Sequence, residues 1–250
     1  MAVRPVDAPA RFRYSPSYMK RTLGAAVLAL LLLAACHPSP RFADSGPAGQ
    51  DLINQAAELV YRMRAERYAR SLDIFFAEAQ GVVIAPAIYR AGYIGAVDLG
   101  QAVLLARDQA GFYSEPLFLS VGGASFGLQI GAQRTAAILF LMSPEALERA
   151  SQGALTLGAD ARISVLTWGE AHDLDIASPF ADVYALLDPA GFYAGVSLSG
   201  AAFTLHQGLN QGRYGQGVTA RDVLIERRYF NVPGAQRLQR VLSPFWLDAL

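Results

Sequence analysis

One serine of this 250-residue chain lies between two glycines in a motif that could make it a catalytic nucleophile. Residues 123–127, GASFG, have the G-x-S-x-G spacing of a nucleophile elbow, in which the serine stands at a sharp turn from a strand into a helix. His206 lies downstream with aspartates between, which is the order of the triad in α/β-hydrolases. Because glycines and alternating apolar residues follow Ser125 where the helix should begin, a serine hydrolase is the less favoured interpretation.

The wider stretch VGGASFGLQIGAQ, residues 121–133, alternates in the manner of a β-strand. Apolar residues fall on one face, and small or polar residues fall on the other. A membrane helix with a small-residue zipper would carry three interior glycines, each costing about 1 kcal/mol relative to alanine, and would place glutamines in lipid. The pattern therefore predicts a strand in which glycine keeps one face shallow, and the predicted structural residues of that face are Gly123, Gly127, Gln129 and Gly131.

Metal-ligating residue types cluster in GEAHDLDIA, residues 169–177. On an extended chain, however, Glu170 and His172 point opposite to Asp173 and Asp175, which favours a solvated loop over a metal site. We predict neither a metal nor a cofactor, and the roles of His172 and His206 stay open at this point.

The segment MKRTLGAAVLALLLLAAC, from Met19 to Cys36, predicts an export signal. Two basic residues precede an apolar run over residues 23–33 that is short for a membrane span. The ending LAAC resembles the lipobox of bacterial lipoproteins, where the cysteine is acylated by palmitate-type chains and becomes the first residue of the mature protein. We therefore predict a signal peptide over residues 1–35, with Met19 as an alternative start, and lipidation at Cys36.

Residues 36–50 are rich in Pro, Gly and Ser, which predicts a flexible tether. Acyl chains on Cys36 would hold the chain on a membrane. The resemblance to lipoproteins implies a protein of the cell envelope that faces the periplasm. His37 stands where an aspartate would retain many lipoproteins at the inner membrane, so we expect the outer membrane.

The composition limits which partners and which cysteine-based sites the chain can have. Beyond residue 35 there are 16 basic and 20 acidic residues, and a net-acidic body argues against nucleic acid. The single cysteine excludes an intramolecular disulfide and a cysteine-based metal cluster.

The stretch over residues 50–76 has apolar residues at helical spacing and neither Gly nor Pro, which predicts a helix. Its second half carries a basic cluster open to two interpretations. The cluster can contact acidic lipid headgroups, or it can be a solvated face whose cations complement the helix C-terminus. The candidate lipid-binding residues are Arg62, Arg64, Arg67 and Arg70.

Short alternating runs dominate the remaining chain, including residues 154–168 and 191–205. Two short helices interrupt them, opened by an N-cap at Ser143 and by a capping box from Thr219 to Asp222. Glycines inside many short strands indicate strong curvature. The expected fold class is α+β: a strongly curved or barrel-like antiparallel β-sheet with an N-terminal helix and a few short packed helices.

Six segments occur in an order that resembles a known family. They are EAQGVVIAP, AGYIGAVDLGQAVLLAR, VGGASFGLQIGAQ, LTLGADA, ADVYALLDPAGFYAGVSLSGA and VTARDVL. Together they resemble the SYLF domain, a lipid-binding module of bacterial lipoproteins and of eukaryotic membrane and actin-associated proteins. The chain departs from the family in the turn VLTWGEAH and in its lysines, of which Lys20 is the only one.

The resemblance implies a SYLF-like domain over residues 51–230, followed by a C-terminal tail over residues 231–250. It further implies a non-enzymatic lipoprotein that binds membrane lipids or a membrane surface through this domain. Two alternatives stay open: a structural or interaction lipoprotein without a bound ligand, and a hydrolase that uses Ser125. No specific protein partner is predicted.

Overall fold

The computed structural model describes residues 49–65, 69–92, 95–126, 131–158, 162–167, 181–190 and 200–243. These residues belong to one compact unit. The predicted signal peptide, Cys36, most of the tether and the cluster around His172 lie outside the described residues. Gly127 and Gln129 also lie outside them.

Six helices are described, and the two predicted caps are confirmed. Ser143 accepts a hydrogen bond from the backbone of Ala146 at 3.1 Å, while Thr219 and Asp222 form a reciprocal capping box. The single helix predicted over residues 50–76 is described as two helices, with residues 66–68 between them outside the described part. The helices are α1 (Gln50–Ala65), α2 (Ala69–Glu78), α3 (Pro144–Ser151), α4 (Gln207–Tyr214), α5 (Ala220–Leu224) and α6 (Gln236–Leu242).

One strongly curled sheet of eight strands confirms the α+β fold class. The strands are β1 (Gly81–Gly92), β2 (Gly95–Ala106), β3 (Leu117–Phe126), β4 (Gly131–Leu141), β5 (Leu155–Thr156), β6 (Ile163–Thr167), β7 (Val183–Ala190) and β8 (Ala202–Leu205). Their spatial order is β5-β8-β3-β2-β1-β4-β7-β6. The order of the first four strands, β3-β2-β1-β4, is that of a Greek key.

All strand pairs are antiparallel except β6 with β7, which is parallel. Parallel neighbours need a crossover of a dozen or more residues, and residues 168–182 supply that length. We call the end of the sheet where β1 begins at Gly81 and β2 ends at Ala106 the base. The opposite end, at Gly92 and Gly95, is the tip.

The continuous strand predicted over residues 121–133 is wrong, because the structure divides it between two strands. β3 pairs with β2 and β8, whereas β4 pairs with β1 and β7. At the tip, Phe126 pairs with Gly95 and Gly131 pairs with Gly92. Residues 127–130 therefore connect strands on either side of the β1–β2 hairpin. Apolar residues alternate with small or polar ones in both strands, so this alternation alone cannot show where β3 ends and β4 begins.

The single strand predicted over residues 154–168 is also wrong. Its first part forms β5 and its last part forms β6, which lie at opposite edges of the sheet. Gly158 has φ of +86°, a left-handed conformation that ends the first extended run. Glycine adopts this conformation without the steric cost that a Cβ imposes.

The central strands are buried on both faces near the base. Consecutive residues over 82–85, 102–106 and 137–141 are all buried, a pattern that only a sheet covered on both sides produces. α1 packs on β1 and β2, and α2 adds Phe75 and Phe76, whose rings lie 5.2 and 5.0 Å from the ring of Phe140. The core of the unit therefore lies at the base.

The last described helix belongs to this core. α6 packs against α1 and buries Leu238, Val241 and Leu242. The segment assigned to a C-terminal tail from the sequence thus includes a helix that closes the hydrophobic core.

Two glycines on neighbouring strands are expected to respond oppositely to alanine. A Cβ at Gly100 would lie 2.8 Å from the carbonyl oxygen of Ala87, whereas a Cβ at Gly122 would meet no atom within 4 Å. Because backbone cannot move aside easily, Gly100→Ala should destabilise the fold by about 1–3 kcal/mol. Gly122→Ala should change stability by less than about 0.5 kcal/mol. Urea unfolding of both variants checks this, and equal effects would contradict the described packing.

Candidate functional site

Arg64, one of the four predicted lipid-binding arginines, is buried inside the unit with 1% of its surface exposed. Its Nε donates to Asp73 at 3.0 Å, and its Nη1 donates to the carbonyl oxygens of Val241 at 2.6 Å and Ser243 at 3.1 Å. The guanidinium carbon lies 4.8 Å from the ring centroid of Phe76. Burial lowers the pKa of the guanidinium, and its hydrogen bonds to the Asp73 carboxylate oppose that shift. Arg64 therefore joins α1 to α2 and α6.

The prediction of one exposed basic cluster is wrong for Arg64, because this side chain is turned into the core rather than toward lipid. Arg62 is more than half exposed, and its Nη2 forms an ion pair with Asp188 of β7 at 2.8 Å. The side chains of Arg67 and Arg70 lie outside the described part, so their role stays a prediction. Sequence spacing places Arg62 and Arg64 together, but two residues apart on a helix they face different directions.

Apolar residues are exposed on one side of the sheet near the tip. Tyr89, Val97 and Leu99 are 46%, 51% and 50% exposed. Leu99 stands between Tyr89 and Gly122 in the strand register, and Val97 pairs with Ala124. We call these five residues the open sheet face. Since nothing lies within 4 Å of a Cβ at Gly122, the face is shallow as well as apolar.

An ion pair occupies the opposite side of the same strands. Arg90 binds Asp98 through two hydrogen bonds, Nε to Oδ1 at 2.7 Å and Nη2 to Oδ2 at 2.8 Å, and Asp98 is buried. This hydrogen bonding raises the pKa of Arg90. A Cβ at Gly123 would lie 3.2 Å from Asp98 Oδ2 and 3.3 Å from the Cα of Ala201. Glycine at 123 therefore makes room for a carboxylate and for the backbone before β8.

The Arg90–Asp98 pair was not among the predicted sites, although the sequence carries a signal for it. Arg90 and Asp98 lie on either side of the β1–β2 turn and face each other in the register. Opposite charges at directly paired positions stabilise a hairpin.

At the base, a cleft of about 250 Å³ separates the loop after β2 from the segment after α5. We call it the base cleft; Phe112 and Phe230, 68% and 75% exposed, are among its lining residues. Arg227 also lines it, donating from Nη2 to the carbonyl oxygen of Phe112 at 2.8 Å and pairing through Nη1 with Asp108 at 2.8 Å.

Glu115 is the buried acid of the base cleft. Its Oε1 accepts a hydrogen bond from the backbone of Val232 at 3.2 Å, while its Oε2 has no hydrogen-bond partner in the described part. Burial raises the pKa of this carboxyl, and the bond from Val232 opposes the shift. Glu115 thereby holds the segment after Phe230 against the start of β3.

Ser125 does not occupy a nucleophile elbow. Its backbone pairs with Ala96 inside β3, which continues to Phe126, and β4 begins at Gly131. The four residues between leave no room for the helix that an elbow requires. His206 has a structural role, since its Nδ1 accepts from the backbone of Leu209 at 3.2 Å and caps α4.

The described residues contain no group of three or more His, Cys, Asp or Glu side chains arranged to hold a metal ion. Among the helices that the structure describes, none has the length and hydrophobicity needed to cross a bilayer.

Comparison with known proteins places this fold in a family. Residues 122–245 match the Ysc84 family, described as Las17-binding protein actin regulator. The chain is 30% identical over 169 residues to LAS seventeen-binding protein 3 of Saccharomyces cerevisiae, covering 66% of this chain and 36% of that protein. It is 28% identical over 171 residues to SH3 domain-containing YSC84-like protein 1 of Xenopus laevis, covering 68% and 51%.

The human protein of the same name is 29% identical over 150 residues, covering 59% of this chain and 44% of the relative. The chain thus spans about a third to a half of the length of these relatives. These matches identify a SYLF domain in the chain, which confirms the resemblance. The Ysc84 match covers 124 of the 250 residues, so what the chain shares with this family is the SYLF domain.

Substitutions at Arg62 and Arg64 are expected to show that Arg64 has a structural role and Arg62 a surface role. Arg64→Gln should destabilise the fold by about 3 kcal/mol, because it leaves the buried carbonyl oxygens of Val241 and Ser243 without donors. Arg62→Gln should cost less than about 1 kcal/mol, since its ion pair is exposed to solvent. Thermal and urea unfolding measure both, and a larger loss in Arg62→Gln would contradict these assignments.

Proposed function

We propose that this chain is a non-enzymatic lipoprotein of the bacterial cell envelope whose SYLF domain binds lipid or a membrane surface. In this proposal Cys36 carries the acyl chains, and the domain faces the periplasm from the outer membrane. The basic and apolar run before Cys36 supports the anchor. The domain shared with a family of regulators and binding proteins, rather than of enzymes, supports a binding role.

The observation that carries the proposal is the exposure of large apolar side chains on rigid elements of the domain. The open sheet face presents Tyr89, Val97 and Leu99 on paired strands, where they cannot fold back into the core. Exposed apolar patches on folded domains mark surfaces that bind lipid or protein. α1 begins at Gln50, fourteen positions after Cys36, so an acylated cysteine keeps the domain within about 50 Å of the bilayer.

A second candidate function is an interaction lipoprotein without a bound lipid. One compared relative is named for binding LAS seventeen, and the matched family is described as Las17-binding, which supports a role in protein contact. In this alternative the open sheet face receives a protein partner rather than a lipid.

Acylation is tested by expressing the full chain in a bacterial host fed with labelled palmitate. The wild type should incorporate label and fractionate with the envelope membranes, because the cysteine thiol is the acceptor of the acyl-bearing group. Cys36→Ser should incorporate none, while His37→Ala, the matched control one position away, should incorporate label as the wild type does. Absence of label from the wild type would refute the lipoprotein proposal.

Lipid binding is distinguished from protein interaction by native mass spectrometry of the acylated full chain extracted in detergent. We expect lipid at fixed stoichiometry beyond the covalent acyl chains, and its loss in Leu99→Gln, which places an amide on the open sheet face. Ile225→Gln is the control, because Ile225 is 49% exposed against 50% for Leu99 and lies outside that face. Retention of the lipid in Leu99→Gln would remove the open sheet face as its site, and absence of lipid from the wild type would favour the interaction role.

A further inference from the structure

Phe112 and Phe230 are the most exposed large hydrophobic side chains in the described part of the chain, at 68% and 75%. Both line the base cleft, so they stand at one rim rather than being scattered over the surface. Single exposed apolar residues are normal on protein surfaces. Two phenylalanines at one rim instead form an exposed apolar patch, which is typical of an interaction site.

Hydrogen bonds fix the loop that carries Phe112. The backbone of Phe112 donates to Asp108 Oδ1 at 2.8 Å, and its carbonyl oxygen accepts from the backbone of Asp108 at 3.0 Å. Arg227 donates to the same carbonyl oxygen and thereby joins this loop to the segment after α5. The ring of Phe112 is thus presented by a closed turn.

The segment that carries Phe230 is held just as firmly. Asn231 adopts a left-handed conformation with φ of +53°, which turns the chain directly after the phenylalanine. The next residue, Val232, donates its backbone N–H to the buried carboxylate of Glu115. Both aromatic side chains therefore project from backbone fixed on the base of the sheet.

The start of α1 lies at the same end of the molecule. Gln50 donates from Nε2 to the carbonyl oxygen of Gly234 at 3.0 Å, four residues after Phe230. Gly49 adjoins the ring of Phe118, whose strand partner is Val103 near the base. The tip lies eight residues farther along β3, about 26 Å away. A chain that leads from an anchor at Cys36 therefore enters the domain at the base.

Basic residues are concentrated in the segment that forms this part of the base. Residues 213–240 hold six of the sixteen basic residues that follow Cys36, but only two of the twenty acidic ones. Arg227 lines the base cleft and pairs with Asp108, while Arg228 beside it is mostly exposed and pairs with Asp222 and Glu226. Arginines next to exposed aromatic rings suit the interface of a bilayer with anionic lipids, where the rings enter the headgroup boundary and the cations meet phosphate.

We infer that the rim of the base cleft is the surface on which this domain docks onto the bilayer that holds its anchor. Phe112 and Phe230 enter the headgroup boundary, and Arg227 and Arg228 lie at the level of the lipid phosphates. The tip and the open sheet face then point away from that bilayer, so a lipid bound on the open sheet face is a single molecule held by the domain and not part of the bilayer surface. This inference rests on the proposed lipoprotein anchor and adds an orientation that the anchor alone does not fix.

The orientation is tested on the full acylated chain reconstituted into vesicles of phosphatidylethanolamine and phosphatidylglycerol. Cys36 is the only cysteine and acylation blocks its thiol, so Phe112→Cys, Phe230→Cys and the control Leu99→Cys each offer one reactive site. An environment-sensitive fluorophore is attached to that site, and lipids with a quencher near the headgroup are included. These three positions are exposed, so the substitutions leave the core intact.

We expect strong quenching and a blue-shifted emission at positions 112 and 230, and no quenching at position 99, because a lipid bound on the open sheet face lies outside the bilayer that carries the quencher. Quenching at 99 but not at 230 would overturn the inference, as would the absence of quenching at all three positions. A blue shift at 230 that grows with protein density and not with quencher content would overturn it in favour of contact between copies of the chain. Flotation of the vesicles separates the two claims, because protein that fails to float shows that the anchor, rather than the orientation, is wrong.

Discussion

Burial of both faces of the central strands at the base is the constraint on which the rest of the structure depends. A sheet that is apolar on both sides must be covered on both sides, and the helices of the unit provide that cover. The strands are longer than the region the helices cover. The same strands that form the core at the base therefore leave it toward the tip, where alternate residues become exposed. Core and exposed face are two ends of one set of strands.

Arg64 shows what this constraint requires of a polar residue. Its guanidinium bridges three helices by donating to a carboxylate and to two carbonyl oxygens at the end of α6. A buried charge is tolerated only where such partners meet it. The Arg90–Asp98 pair solves the corresponding problem between two strands, and glycine at 123 provides the space.

Much of the local structure was predictable from the sequence because it depends on short-range chemistry. The caps at Ser143 and Thr219 need only a side-chain oxygen and a backbone N–H three residues on, and both were confirmed. The α+β class followed from the change of period after residue 80. What failed was long-range: alternation cannot show that residues 121–133 serve two strands separated by a hairpin. Nor did it reveal that Gly158 would send β5 and β6 to opposite edges.

The candidate sites show the same difference between short-range features, which the sequence predicts, and long-range contacts, which it does not. Glycine at position 123 was visible in the sequence, but the groups that fill the space beside it, Asp98 and the backbone of Ala201, come from distant parts of the chain. Arg64 was grouped with Arg62 because both are basic and lie close together in a predicted helix. The sequence does not show what packs against each side chain. The base cleft brings together residues 111–115 and 227–243. No sequence pattern in either segment predicts that the two lie side by side.

The lengths of the outermost strands have a consequence for crowding. In the described part of the chain the sheet ends in β5, with two residues, and β6, with five. Unpaired strand edges are templates on which further copies can add and polymerise, and short edges offer few backbone groups for that addition. A sheet whose longest described strands are all internal can therefore meet further copies at high concentration without growing into a continuous fibre.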